Sequence, residues 1–332
     1  MNICICGGGN LGTVCAGVLS SQKGVSVSIF TRHPEKWSEQ ITVTDSEGKF
    51  YQGFLRMVSN DASVVIPEAD IVLLCLPGFV IEDILKKIKP YLKEGTLVGS
   101  IVSSTGFFFM AHDTLAPNTP LFGFQRVPFI ARSTEYGKSA NLLGYKAQVA
   151  IAVENEEKEK VRSLFERLFF TSTILLNNYY EASLTNSNPI LHTGRLYTLW
   201  KDWDGESYEE PILFYKEWTN EASQMIINMD NEFQHLLSFM SIDHTTIPDL
   251  LTYYESTDAA SLTKKIQSIP AFQNIIAPMK KFDDKWYPDF TSRYFKEDFP
   301  FGLRFIYDLL LKNEIYCPCI KQVYSWGIQK IN

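Results

Sequence analysis

The sequence predicts an α/β first half, a doubly wound parallel sheet, followed by a mainly α-helical second half. Three observations carry this expectation. A strand-like run at 2–6 empties into a glycine-rich turn. Apolar strand patterns then alternate with helical ones as far as Leu176. After Asn177 long patterns of helical period take over.

The first element is the most informative. Ile3-Cys4-Ile5-Cys6 is followed by Gly7-Gly8-Gly9-Asn10-Leu11-Gly12, and a helical pattern continues through Ala16, Val18 and Leu19. A G-x-G-x-x-G between a strand and a helix is the fingerprint of a Rossmann dinucleotide site. Gly7 suits the tight turn, Gly9 lets a pyrophosphate approach the backbone, and Gly12 lets helix and strand pack closely. Asn10 and Leu11 open the helix, whose free N–H groups and positive dipole end face the phosphates.

The second strand, Val25–Phe30, ends at Thr31-Arg32-His33-Pro34. A site for NAD would place Asp or Glu there, to hold the ribose 2′-hydroxyl. Thr31 and Arg32 stand there instead, and a guanidinium suits a 2′-phosphate. NADP(H) is therefore the expected cofactor, with NAD(H) left open.

Further along, Ile41–Asp45 and Lys49–Phe54 read as a polar hairpin around Ser46-Glu47-Gly48. Ala69–Leu76 is the continuous apolar run of a buried parallel strand, and a helix with Ile81, Ile84, Leu85 and Ile88 follows it. Leu97–Val102 is the next strand. In open α/β sheets ligands bind beyond the carboxyl ends of the strands. Leu76, Pro77 and Gly78, and Ser104-Thr105-Gly106, are thus expected near the nicotinamide half. Ala147–Val153, Glu156–Phe169 and Thr173–Leu176 give a strand, a helix and a last strand. The expected domains are 1–178 and 179–332. In the second, Ile226, Met229, Phe233, Leu236 and Leu237 form one apolar stripe, which suits a core helix or the face of a homodimer.

Composition limits the classes of function. The 332 residues are 45% hydrophobic, enough for two domains with substantial cores. No apolar run is long enough to span a bilayer. Net charge is −7, with no Lys/Arg run that would mark a nucleic-acid footprint. A strand that begins at residue 2, with no leader before it, gives a cytoplasmic expectation. Cys4, Cys6, Cys15 and Cys75 fall on apolar positions. Cys317-Pro318-Cys319 lacks further ligands at metal spacing, so reduced thiols are expected throughout.

Two segments of the helical half gather polar chemistry. Leu184–Arg195 holds Asn188, His192 and Thr193 around Pro189. Ser292–Leu303 holds Arg293, Glu297 and Asp298 before Pro300 and Gly302. His33 and His112 lie in the nucleotide-binding half, while His235 and His244 lack such a setting.

On these segments and the glycine motif, the sequence resembles the opine dehydrogenases, the NAD/NADP octopine/nopaline dehydrogenase family. The stretches at 188–195 and 293–303 are similar to signatures of its helical domain. The resemblance implies a Rossmann domain followed by a helical one. It also implies reductive condensation of a 2-oxo acid with an amino acid, by hydride transfer to an imine. It makes His192 the catalytic acid, Asp298 its partner carboxylate and Arg293 the arginine of the site. Arg293 would either hold a substrate carboxylate or orient the pair. Asn188, Thr193 and Glu297 would support the site. The residue types suit the chemistry, since an imidazolium can donate a proton as hydride arrives and a carboxylate can fix its tautomer.

Thr31-Arg32 departs from an NAD-type pattern, and Phe124–Phe129 matches no signature of the octopine enzymes. Arg126 within it suits either a substrate carboxylate or a structural role. Two other readings stay open. Ketopantoate reductase and glycerol-3-phosphate dehydrogenase share the general plan but rely on lysine, for which Lys201 or Lys216 would serve. A redox sensor would bind the nucleotide without turnover.

Overall fold

The computed structural model describes residues 1–242 and 245–331, so His244 lies outside the described residues. The chain divides into two compact units, Met1–Ser183 and Leu184–Asn332.

The first unit runs β1 (Asn2–Cys6), α1 (Asn10–Ser20), β2 (Ser26–Phe30), β3 (Gln40–Asp45), β4 (Phe50–Ser59), α2 (Ala62–Val65), β5 (Ile71–Leu74), α3 (Gly78–Ile88), β6 (Leu97–Ile101) and α4 (Phe107–Thr114). It continues with β7 (Leu121–Phe124), β8 (Phe129–Glu135), β9 (Ser139–Tyr145), β10 (Gln148–Glu154), α5 (Lys158–Phe169), β11 (Ser172–Leu175) and α6 (Tyr179–Ser183). These strands join one sheet in the order β11-β10-β7-β6-β5-β1-β2-β4-β3-β9-β8. The centre is parallel, with β1 between β2 and β5, as the buried apolar runs predict.

The expected doubly wound parallel sheet is present at the centre and is extended by antiparallel pairs. β10 runs antiparallel to β7, and β3–β4 and β8–β9 are antiparallel pairs. The physical reason is the connection. After β7 the chain makes the β8–β9 hairpin and no helical crossover, so it re-enters beyond the carboxyl end of β7 and must run backwards. The expected polar hairpin is present as β3–β4. Its turn is fixed by Asp45, whose carboxylate accepts from the backbone N–H of Glu47 and Lys49 at 3.0 and 2.9 Å. β4 then extends beyond the hairpin and becomes the parallel neighbour of β2.

The strands β3, β4, β8 and β9 fold over α1, which also packs on β1 and β2. Gly12 through Leu19 are consequently buried without interruption. That is why α1 reads as apolar on every side. Gly17 permits the approach, since a Cβ there would lie 2.4 Å from a Val43 methyl.

The second unit comprises α7 (Asn188–Trp200), α8 (Asn220–Phe239), α9 (Leu250–Tyr253), α10 (Ala259–Ser268), a hairpin of β12 (Met279–Phe282) and β13 (Lys285–Pro288), a π-helical segment (Tyr294–Leu303), α11 (Arg304–Lys312) and α12 (Pro318–Ile331). The apolar stripe of α8 is core, with Ile226, Met229, Leu236 and Leu237 fully buried. Gly194 lets α7 close on α8, since its Cβ would meet Ile226 at 2.6 Å. No described helix is long and apolar enough to cross a membrane.

One buried carboxyl in this core gives a stability prediction. Asp230 on α8 accepts from the Leu250 N–H at 2.7 Å, yet burial pushes its pKa up to about 6. The folded state therefore holds the proton more tightly than the unfolded chain does. Stability should fall as pH rises from about 4 to about 6 and stay lower above that. Asp230→Asn keeps an acceptor oxygen and removes the charge. It should stabilise the protein at pH 7.5 by on the order of 2 kcal/mol and not at pH 4, which paired melting curves would check.

Candidate active site

The glycine turn has the geometry that a dinucleotide needs. Gly7 sits at φ +116°, a conformation that only glycine adopts freely, and its N–H donates to Phe30 O at 3.0 Å. A Cβ there would lie 2.5 Å from the Cys75 carbonyl oxygen. A Cβ on Gly12 would lie 2.0 Å from the Gly7 carbonyl oxygen, so this glycine brings helix and turn together. Gly9 is different, because a Cβ there would meet nothing within 4 Å. That open space beside the N-terminus of α1 fits an approaching pyrophosphate.

The neighbouring loops are placed around the same turn. Leu11 is half-buried against the core. The Asn10 side chain accepts from the Ser133 N–H at 2.9 Å and so ties β8 to the helix start. The side chain of Leu76 lies 2.9 Å from where a Gly7 Cβ would be. Pro77 caps α3 and Gly78 is buried in its first turn. Beyond β6, the Thr105 hydroxyl is buried with no partner among the described residues. Thr31 is buried, while Arg32 is exposed and has no ion pair among the described residues.

Tyr136, between β8 and β9, was not legible in the sequence as part of this region. Its hydroxyl lies 3.4 Å from Thr31 Oγ1, and a Cβ on Gly8 would approach it to 2.6 Å. Trp37 packs edge-on to its ring at 6.0 Å. The signal was absent because a turn of the hairpin, far along the chain, supplies the residue.

In the helical unit, the structure brings His192 and Asp298 together. His192 lies on α7, where the first turn starts at Asn188-Pro189, a good N-terminal position for proline. Asp298 lies on the π-helical segment, which Pro300 interrupts. Gly302 allows the two to meet, since its Cβ would press on Pro189 at 2.8 Å. Phe295 and Phe299 anchor the segment by stacking at 5.4 Å and packing against Trp326. His192 Nδ1 is 2.8 Å from Asp298 Oδ2. His192 Nε2 is 2.8 Å from the Tyr215 hydroxyl, a contact that the sequence did not disclose.

The turn that carries Tyr215 is held from beneath. Arg195 is buried and donates from Nε to Phe214 O at 3.2 Å and from Nη2 to Glu217 O at 2.6 Å. Burial lowers its pKa to about 10. Leu213 N–H donates to the Glu217 carboxylate at 2.7 Å, closing the turn. Phe214 and Tyr294 complete an aromatic wall around the imidazole, at 5.8 and 4.7 Å.

The remaining candidates have settings of their own. Arg293 donates to Glu297, and its side chain is 80% exposed. The ion pair with Glu297 gives no support to Arg293 orienting His192 or Asp298 by direct contact. Thr193 is buried and bonds back to the Pro189 carbonyl within its own helix. Asn188 is half-buried at the first turn of α7, and its backbone N–H donates to the Asn186 side chain at 3.2 Å. Arg126 is exposed on the loop after β7. Lys201 is paired with Glu221 at 2.7 Å, and Lys216 is exposed.

Comparison with known proteins agrees with both halves. Residues 175–331 match the family model of the NAD/NADP octopine/nopaline dehydrogenase alpha-helical domain. Residues 3–104 match that of ketopantoate reductase PanE/ApbA. The chain is 26% identical to an opine dehydrogenase of Haliotis discus hannai, over 98% of this chain and 89% of that protein. It is 25% identical to an octopine dehydrogenase of Mizuhopecten yessoensis, over 100% and 90% of the two chains. A solved octopine dehydrogenase with NADH and L-arginine superposes with a TM-score of 0.87, at 24% identity, over 100% of this chain and 89% of that one.

A Rossmann-type unit with an intact glycine turn, followed by this helical domain, defines an NAD(P)-dependent dehydrogenase. The chain's second half matches the helical domain of the opine dehydrogenase family.

Proposed function

We propose that the protein condenses a 2-oxo acid with an amino acid and reduces the resulting imine, using NADPH in preference to NADH. The observation that carries this reading is the His192–Asp298 pair at 2.8 Å, set among the rings of Phe214, Tyr215 and Tyr294. A nicotinamide dinucleotide supplies hydride, and Gly7, Gly9, Asn10, Leu11 and Gly12 are the residues that would hold its pyrophosphate. His192 donates a proton while the substrate carbon is reduced. Asp298 keeps the Nδ1 proton in place and stabilises the charged ring. Arg293, exposed on one side of its ion pair, holds a substrate carboxylate by paired N–H donors. Relatives named opine and octopine dehydrogenase support this substrate class.

The test is nicotinamide oxidation with NADPH and NADH supplied separately, together with pyruvate and a panel of amino acids. Oxidation that requires both organic partners is the expected result. Oxidation by the oxo acid alone would favour a ketopantoate-reductase-like reaction, which the match at residues 3–104 makes the second reading.

Cofactor preference rests on Arg32 and on the lack of an acid beside it. Arg32→Ala should raise the KM for NADPH by about 10- to 100-fold, the worth of a charge-assisted contact to phosphate, and leave that for NADH nearly unchanged. Equal effects on both nucleotides would remove Arg32 from 2′-phosphate recognition.

A further inference from the structure

Two hydrogen bonds hold the His192 ring, and the proposed chemistry uses only the one to Asp298. The other joins Nε2 to Tyr215 at 2.8 Å. Tyr215 is 5% exposed and firmly seated, stacking on Phe272 at 4.2 Å and on Trp218 at 6.0 Å. Tyr294 lies over the same imidazole, with ring centroids 4.7 Å apart. A phenol oxygen carries lone pairs as well as a proton, so at this distance that of Tyr215 can accept from a protonated Nε2.

An ionised Asp298 can only accept, so Nδ1 carries a proton. An oxygen that offers lone pairs to Nε2 suits a proton there as well. We propose that Tyr215 is a positioning residue that keeps His192 loaded with its proton, accepting from Nε2–H until a substrate atom takes over as acceptor. This rests on the reading of His192 as the acid. Burial holds the Tyr215 hydroxyl well above the usual phenol range, so it stays neutral at every working pH. Among the described residues, the titratable groups set around the imidazole are Asp298 and Tyr294 from the π-helical segment and Tyr215 from the turn, with Tyr254 beyond Tyr215.

The sign of the effect follows from bond strengths. A charge-assisted hydrogen bond is roughly twice as strong as a neutral one. Loss of the hydroxyl therefore costs the imidazolium more than the neutral ring, and the proton leaves at lower pH. Tyr215→Phe keeps the stacking and removes only the oxygen. In the full-length protein, assayed with pyruvate, the amino-acid panel and the preferred nucleotide, its alkaline limb of kcat should move down by about one pH unit. Turnover at pH 8 should fall about tenfold and recover towards wild type at acid pH. A packing defect would lower turnover equally at every pH. Titration of the His192 ring nitrogens by 15N NMR should show the same downward shift with no substrate present.

An unmoved limb together with an unmoved His192 titration would overturn the role of Tyr215 and leave His192 as the acid. Retained turnover in His192→Ala would defeat the functional reading itself. Where no panel member supports turnover in the wild type, the NMR titration alone decides the role of Tyr215.

Discussion

Replacing His192 with alanine should lower turnover by about 10²- to 10⁴-fold, the range that a positioned general acid contributes. Nucleotide affinity should not change. The separation is expected because the glycine turn lies in the first unit, while His192 belongs to the second. His192 is 8% exposed and bonded at both ring nitrogens, so the alanine variant also deprives Asp298 and Tyr215 of a partner, and a melting curve separates lost fold from lost chemistry. Asp298→Asn is the companion variant. It preserves shape but replaces an obligatory acceptor with a group that also donates, and the ring loses the partner that fixes its tautomer. Stopped-flow nucleotide binding beside steady-state turnover would make the measurement. Unchanged turnover in His192→Ala would exclude it as the proton donor.

The second large effect is expected at the glycine turn, where two substitutions should part company. Gly12→Val places a side chain where even a Cβ would lie 2.0 Å from a backbone oxygen. Neither α1 nor the turn can give way easily, so a loss of roughly 3 kcal/mol or more is expected, together with loss of nucleotide binding. Gly9→Ala meets no protein atom and should leave the melting temperature unchanged. It should nevertheless weaken nucleotide binding, because the added methyl occupies the space that the pyrophosphate would use. Thermal melts and nucleotide titrations of both variants make the comparison. Equal destabilisation by the two would show that Gly9 serves the fold.

Much of the first unit was legible because its signals are local. The central strands are unbroken apolar runs, the glycine turn is contiguous, and Ser46-Glu47-Gly48 marks its hairpin. β8 and β9 were missed because Arg132, Ser133, Thr134 and Glu135 bury little, and only Phe129, Ala131, Ala140 and Leu142 reach the core. The direction of β10 was hidden for a different reason, since it depends on what the preceding connection lacks. In the second unit His192 stood out as a histidine in a polar, proline-interrupted stretch. Asp298 came from resemblance, as one acid among several in its segment. Tyr215 had no local signature at all. It matters only because Arg195 and Glu217 fold a turn that places its hydroxyl against a ring 23 residues away.

The double covering of α1 bears on the thermodynamics of nucleotide capture. A helix enclosed by strands on both sides cannot fray or tilt without opening much of the unit, so its amide protons should exchange only with large-scale unfolding. The N–H groups that would greet a pyrophosphate are thus oriented before the ligand arrives. Little conformational entropy remains to be lost at that end of the cofactor on binding. The phosphate socket behaves as a rigid fixture, and any ordering that accompanies binding must be sought at more exposed elements, such as the side chain of Arg32.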